Sequence, residues 1–162
     1  MTGLRFIALL PMLVLGLGTA QAAEIDAATF VAKAGAGDLY EQQSSKLVLA
    51  STKNAKVRSF AQTMVTDHAK TTAEVKAAAT KAGLKPKPPT LDSAKVEMVA
   101  DLKAANGKAR DKLYIEQQKI AHDEALTLHR SYSTSGTSAP LKTVAAKAVP
   151  IVQHHLHMLQ TM

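Results

Sequence analysis

"NAKVRSFAQTMVTDH", Asn54 to His68, carries apolar side chains at Val57, Phe60, Ala61 and Met64, and then a histidine at the next step of four. Steps of three and four stack residues on one face of an α-helix. The stripe resumes at Val75 and Ala78, so a helix (B) is predicted over Ala55–Ala82. Gly83 takes the position of a C′ glycine, and "KPKPP" (Lys85–Pro89) stops any continuation. The question this stretch raises is why a long apolar stripe includes His68.

Working outward, the chain is rich in Ala, Lys, Leu, Gln and Glu and has no period-two β-branched runs, which is helical composition. Before "STKN" (Ser51–Asn54), a helix (A) is predicted from Asp26, its N-cap, to Ser51, with the stripe Phe30, Ala34, Gly37, Val48. A shorter helix is expected from Asp92 or Ser93 to Ala104, interrupted by Asn106-Gly107. A third long helix (C) is expected over Lys108–Tyr132, followed by the loop Ser133–Ser138. A fourth (D) is expected over Ala139–Gln160, with Pro140 in its first turn and a kink at Pro150. Four long helices with short A/B and C/D loops predict an all-α, antiparallel up-down four-helix bundle, with an extra short helix in the B–C connection.

Each long helix places one potential ligand within its stripe. Glu41 lies seven after Ala34 and seven before Val48; His68 follows Met64 by four; His122 lies seven from Ile115 and from His129; His155 lies four from Ile151 and from Leu159. Counting residues from the loops puts all four at nearly one level of the bundle. A buried carboxylate and three imidazoles are costly unless satisfied. One solution is a transition metal, with Zn, Fe, Mn and Cu all suited to His₃Glu, and with Asp67, Tyr40 or a water beside the ligands. The other is a hydrogen-bonded polar cluster that only fixes helix register. Met64 and Met158, one turn from His68 and His155, are candidate neighbours for a soft metal or simple core filler. His154 and His157 share a face turned away from His155, where a surface metal is the weaker expectation. His129 and Tyr132 stand nearer the C/D end, as candidate gates to the layer.

The start of the chain reads as a secretory signal. Arg5 precedes the apolar run Phe6–Leu17, and Ala20-Gln21-Ala22 is a cleavage pattern. Residues 1–22 are therefore expected to be removed, leaving one domain over 23–162, no transmembrane helix and a periplasmic location. There is no cysteine, which excludes disulfides, thiol nucleophiles, thiolate metal sites and a lipid-modified cysteine. The formal charge is +7, with the lysines spread along the chain, so anionic envelope components are the expected partners. Export and few aromatics argue against nucleic acid.

The stretch from Phe30 to Lys70 resembles the opening of a bacterial exported family catalogued as domain of unknown function 4142. Phe30 and Glu41, the run Asn54–His68, Tyr114 with His122, and Pro150 with His155 and Leu156 carry the likeness, which spans Ala28 to the C-terminus. The resemblance implies a ferritin-like bundle in the periplasm or at the outer membrane, and it implies Glu41, His68, His122 and His155 as its matching positions, with Asp67 beside them. It implies no settled activity. Di-iron bundles need a glutamate three residues before a ligand histidine. Here those positions hold Val65, Lys119 and Val152, and Glu116 faces away, so oxidase chemistry is disfavoured. The expected function is a single-metal bundle for metal handling or envelope stress, more a binder than an enzyme; the alternative is a structural module whose basic surface contacts the envelope.

Overall fold

The computed structural model describes residues 25–162. The expected signal segment, residues 1–22, lies outside them. The described residues form five helices and no strand: α1 (Ala27–Leu49), α2 (Ala55–Lys81), α3 (Ser93–Ala104), α4 (Gly107–Ser135) and α5 (Ala139–Gln160). No described helix is long and apolar enough to cross a membrane.

Short polar side chains start three of these helices by satisfying backbone N–H groups that the first turn leaves free. Asp26 accepts from Thr29 N at 2.9 Å, Asn54 from Lys56 N at 2.9 Å, and Asp92 from Lys95 N at 2.9 Å. α5 runs unbroken through Pro150, which has no N–H to give the Ala146 carbonyl. Two ends differ from expectation. α4 passes Tyr132 and continues to Ser135 because the hydroxyls of Ser133, Thr134 and Ser135 donate back to the carbonyls of Arg130 and Ser131 at 2.8–3.2 Å. α1 stops at Leu49 because Thr52 turns inward. Its Oγ1 donates to Asp111 Oδ2 at 2.9 Å and accepts from Asn54 N at 3.1 Å.

Two apolar clusters show how the helices run. One joins Phe30 and Ala34 of α1, Val75 and Ala79 of α2, Tyr132 of α4, and Leu141, Val144 and Ala145 of α5. The other joins Val48, Val57, Phe60, Met64, Tyr114 and Leu159 with Leu102 of α3. α1 and α5 therefore run from the first cluster to the second, and α2 and α4 run back. α3 returns the chain along the outside, packing Val99 against Tyr40 and Ala121. Every neighbouring pair of long helices is antiparallel, while α2 and α4 run in the same direction across the diagonal. This is the ferritin-like arrangement with one long crossover. The crossover is pinned where Pro89 meets Gly35: a Cβ on that glycine would lie 3.0 Å from Pro89 Cβ.

The interior is more polar than one residue per stripe. Asp38, Ser44, Ser45, Asp111, Gln117, Gln118 and His129 are buried too. Several bind α1 to α4: Tyr40 Oη donates to Gln117 Oε1 at 3.0 Å, Gln118 Nε2 donates to Ser44 Oγ at 3.2 Å, and the hydroxyls of Ser45 and Tyr114 are 2.8 Å apart.

Candidate metal centre

Between the two apolar clusters, α2, α4 and α5 bring His68, His122 and His155 together. All three are buried, and one ring nitrogen of each lies within 4.8 Å of the others. Ring centroids are 5.3 Å apart for His122–His155, 5.7 Å for His68–His122 and 5.8 Å for His68–His155. Phe60 roofs the group, its ring 6.1 Å from His122 and 6.4 Å from His155.

The outer partners decide which nitrogen of each ring faces in, because carboxylates and carbonyls only accept. His68 Nδ1 donates to Asp38 Oδ1 at 2.8 Å, so its Nε2 is the remaining nitrogen, buried and without a partner. His122 Nδ1 donates to the Gln118 carbonyl at 2.9 Å, leaving Nε2 as a lone pair. His155 Nε2 donates to Asp67 Oδ2 at 3.0 Å, leaving Nδ1. Two lone pairs that face each other, with the His68 ring beside them and an outer acceptor behind each ring, form the arrangement of a histidine metal site with its supporting shell. His122 Nε2 and His155 Nδ1 are 3.3 Å apart. Two nitrogens on a tetrahedral Zn²⁺, at Zn–N of about 2.0–2.1 Å, stand roughly 3.3–3.4 Å apart. The pair fits a metal as it stands.

Asp38 is the partner of the histidine cluster that sequence reading missed. It also accepts from Thr71 Oγ1 and Thr72 Oγ1, each at 3.0 Å, and so is held from three sides. Asp67 Oδ2 lies 3.0 Å from His155 Nε2, on the outer side of that ring. Glu41 does not join the three imidazoles as a ligand. Its Oε1 lies 3.5 Å from His122 Nδ1, the nitrogen already given to Gln118, and its Oε2 is buried without a partner. Tyr40 points to Gln117 rather than to the imidazoles. Met64 and Met158 pack with the second apolar cluster, as thioethers do when they fill core space. His154 and His157 are exposed, and Glu116 is exposed beside Lys112. His129 lines the same cavity as the cluster, edge-on to Phe30, while Tyr132 is stacked on Phe30 and fully buried.

Burial, with repulsion from His68 and His155 when those rings are protonated, pushes His122 down to about 3. Burial also pushes His155 down to about 4, against its hydrogen bond to Asp67. Both rings are neutral donors at neutral pH. Burial pushes His68 down as well, but the Asp38 hydrogen bond and the charges of Glu41, Asp38 and Asp67 outweigh it, and His68 is raised. Burial lifts Glu41 to about 7 against the charge of His68. The carboxylates that favour a proton on His68 would favour a metal cation in its place.

A structure from Streptomyces coelicolor, of a protein described as secreted and as DUF305, matches this fold with a TM-score of 0.64, at 16% identity, over 83% of this chain and 88% of that one. At that identity the likeness concerns the fold alone. No curated protein matches the chain. The model of the family described as domain of unknown function (DUF4142) matches residues 16–162, and the chain belongs to that family.

Proposed function

We propose that this protein is an exported bundle that binds one transition metal ion through His68 Nε2, His122 Nε2 and His155 Nδ1. One observation carries the reading: the nitrogens that outer acceptors leave free on His122 and His155 face each other at 3.3 Å, and a ring nitrogen of buried His68 lies within 4.8 Å of them. Three nitrogen donors and no thiolate favour Cu²⁺ or Zn²⁺ over Mn²⁺ or Fe²⁺. Asp38, Asp67 and Glu41 supply the negative charge that offsets the cation. The carboxylates stand behind the rings rather than between two ion positions, so the reading is metal holding rather than di-iron oxidation. Export rests on the signal-like start and on the secreted description of the Streptomyces protein; a role in metal handling or envelope stress rests on export together with the histidine cluster.

The test is elemental analysis of protein purified without its first 22 residues, loaded with Zn²⁺ or Cu²⁺ and dialysed. About one ion per chain is expected, lost in the variant carrying His68→Ala and His122→Ala and kept when His154 and His157 are replaced. Equal metal in the wild type and the double variant would sink the proposal.

A second reading has one observation in its favour. With one of the two rings in its other tautomer, a hydrogen bond between His122 Nε2 and His155 Nδ1, 3.3 Å apart, would satisfy that pair without metal. The layer would then fix register, and the basic surface would contact anionic envelope components. Salt-sensitive binding to anionic vesicles, unchanged by His68→Ala in a protein that takes up no metal, would favour it.

A further inference from the structure

The chain carries a net charge of +7, yet the cavity beside the histidines is acidic. Six of the thirteen carboxylates of the chain line it, Asp38, Glu41, Asp67, Asp92, Asp123 and Glu124, against two lysines, Lys33 and Lys95. The Lys95 side chain is only 14% exposed, and its ammonium lies between Asp92 Oδ2 and Glu124 Oε2, each at 3.2 Å. The outer part of the cavity therefore already seats one alkylammonium group. Among the described residues, no lysine or arginine ion-pairs with Asp38, Glu41 or Asp67; each has only a histidine beside it. Asp38 and Asp67 accept from theirs at 2.8 and 3.0 Å. Glu41 is 3% exposed and its Oε2 has no partner, which is costly for a carboxylate oxygen. It stands at the Nδ1 side of His122, whereas Nε2 of that ring faces His155, so the imidazole separates Glu41 from the proposed metal position. Small and apolar side chains complete the walls. Ala34, Gly37 and Glu41 share one face of α1 at steps of three and four, and Ala121, Ala125 and Leu128 share one face of α4. A Cβ on Gly37 would meet nothing within 4 Å. The cavity measures about 790 Å³ and opens to solvent beside the exposed Asp92, Asp123 and Glu124. That volume is within the roughly 300–1,000 Å³ of small-molecule sites.

We propose that this cavity binds an aliphatic di- or polyamine, with one ammonium donating to Glu41, the methylene chain along the small-residue faces of α1 and α4, and a further ammonium among the carboxylates of the mouth. Such a ligand matches three features at once. Its N–H groups supply the donor that Glu41 Oε2 lacks, its charge offsets the surplus of carboxylates, and its methylenes cover alanine, glycine and leucine. A bare divalent cation matches the charge and leaves the apolar walls uncovered. A neutral alcohol offers a donor and leaves the charge uncompensated. The seat at Glu41 uses none of the three inward imidazole nitrogens, so a bound metal is not required for it.

The experiment is titration calorimetry of the metal-free protein with putrescine, spermidine, n-butylamine and 1,4-butanediol, at pH 8, above the value of about 7 to which burial lifts Glu41. The variants are Glu41→Gln, which keeps the shape and removes the charge, and Gly37→Leu, which fills the open space and suits a helix better than glycine does. Glu74→Gln, on the far side of α2 beside Lys70 and away from the cavity walls, is the control. The wild type is expected to bind one putrescine or spermidine per chain, n-butylamine more weakly and butanediol not at all. Glu41→Gln should weaken the diamine by more than about thirtyfold, as loss of one partner of a buried charge pair does. Gly37→Leu should weaken it too, with helical content unchanged by circular dichroism, and Glu74→Gln should match the wild type. No diamine binding by the wild type, equal binding of butanediol, or wild-type affinity in either cavity variant would overturn the amine site and leave the metal reading standing.

Discussion

At the scale of single residues, the centre is made by what stands behind the histidines. Asp38 holds His68 and is itself held by two threonine hydroxyls, so it is fixed before any ligand arrives. Replacing a supporting partner of this kind weakens metal binding by about 10–100-fold. Asp38→Asn and Asp67→Asn should each show a loss in that range by competition with a chelator of known affinity, with helical content unchanged by circular dichroism. Removing an imidazole should cost more than removing its partner. Asp38 was within reach of the sequence. Ala34, Asp38, Glu41, Ser45 and Val48 follow alternating steps of four and three along one face of α1, and a seven-residue count through Glu41 alone passes over the two polar members between. Glu41 shares the face, yet it approaches His122 from behind, a difference of side-chain direction that spacing does not carry.

At the scale of elements, the helix junctions set how the layer is levelled. His68 lies near the middle of α2, 27 residues long, so its level is the same whether α4 runs along α2 or against it. That is why residue counting from the loops found the layer although α2 and α4 prove to be parallel. The number and order of the helices were legible because caps, glycine and proline mark their ends. The last turn of α4 was not, since Ser and Thr read as loop until their hydroxyls are seen bonding to the turn before. The α4–α5 turn offers a test. A Cβ on Gly136 would sit 2.6 Å from both the Tyr132 carbonyl oxygen and its ring. Tyr132 is locked against Phe30 at a centroid distance of 4.0 Å, so it has nowhere to move. Gly136→Ala should therefore destabilise the fold by about 1–3 kcal/mol, as overpacking does. Urea unfolding checks this; an unchanged midpoint would mean that the turn is free to shift.

At the scale of the whole molecule, burial of the layer links stability to pH. His122 and His155 have depressed pKa values in the folded state, about 3 and about 4. Between those values and the ordinary imidazole range the unfolded chain binds more protons, so stability falls as pH drops through this window. Glu41, raised to about 7, and His68, also raised, act with the opposite sign. Their stabilisation is complete at low pH and fades as pH rises through their folded pKa values. Three histidines, His122, His155 and His129, which burial also lowers, oppose Glu41 on the acid side, and of the layer only Glu41 and His68 act above it. The metal-free protein should therefore be most stable near about pH 6.5, and less so at pH 4.5 and at pH 8. Replacing Glu41 with Gln should flatten the alkaline side. Thermal unfolding across this range is the measurement, and a curve still rising at pH 8 would contradict the assignment. Metal should add stability chiefly at and above neutral pH, where protons no longer compete for His68.

The inward nitrogens are where the account stands or falls. Zinc titration of the metal-free protein, followed by the imidazole ¹⁵N and ring-proton resonances, reads which nitrogen of which ring takes the ion. Zinc is expected on Nε2 of His68, Nε2 of His122 and Nδ1 of His155, saturating at one ion per chain, with His154 and His157 unmoved. Zinc shifts confined to His154 and His157, or none at the three buried rings, would contradict it.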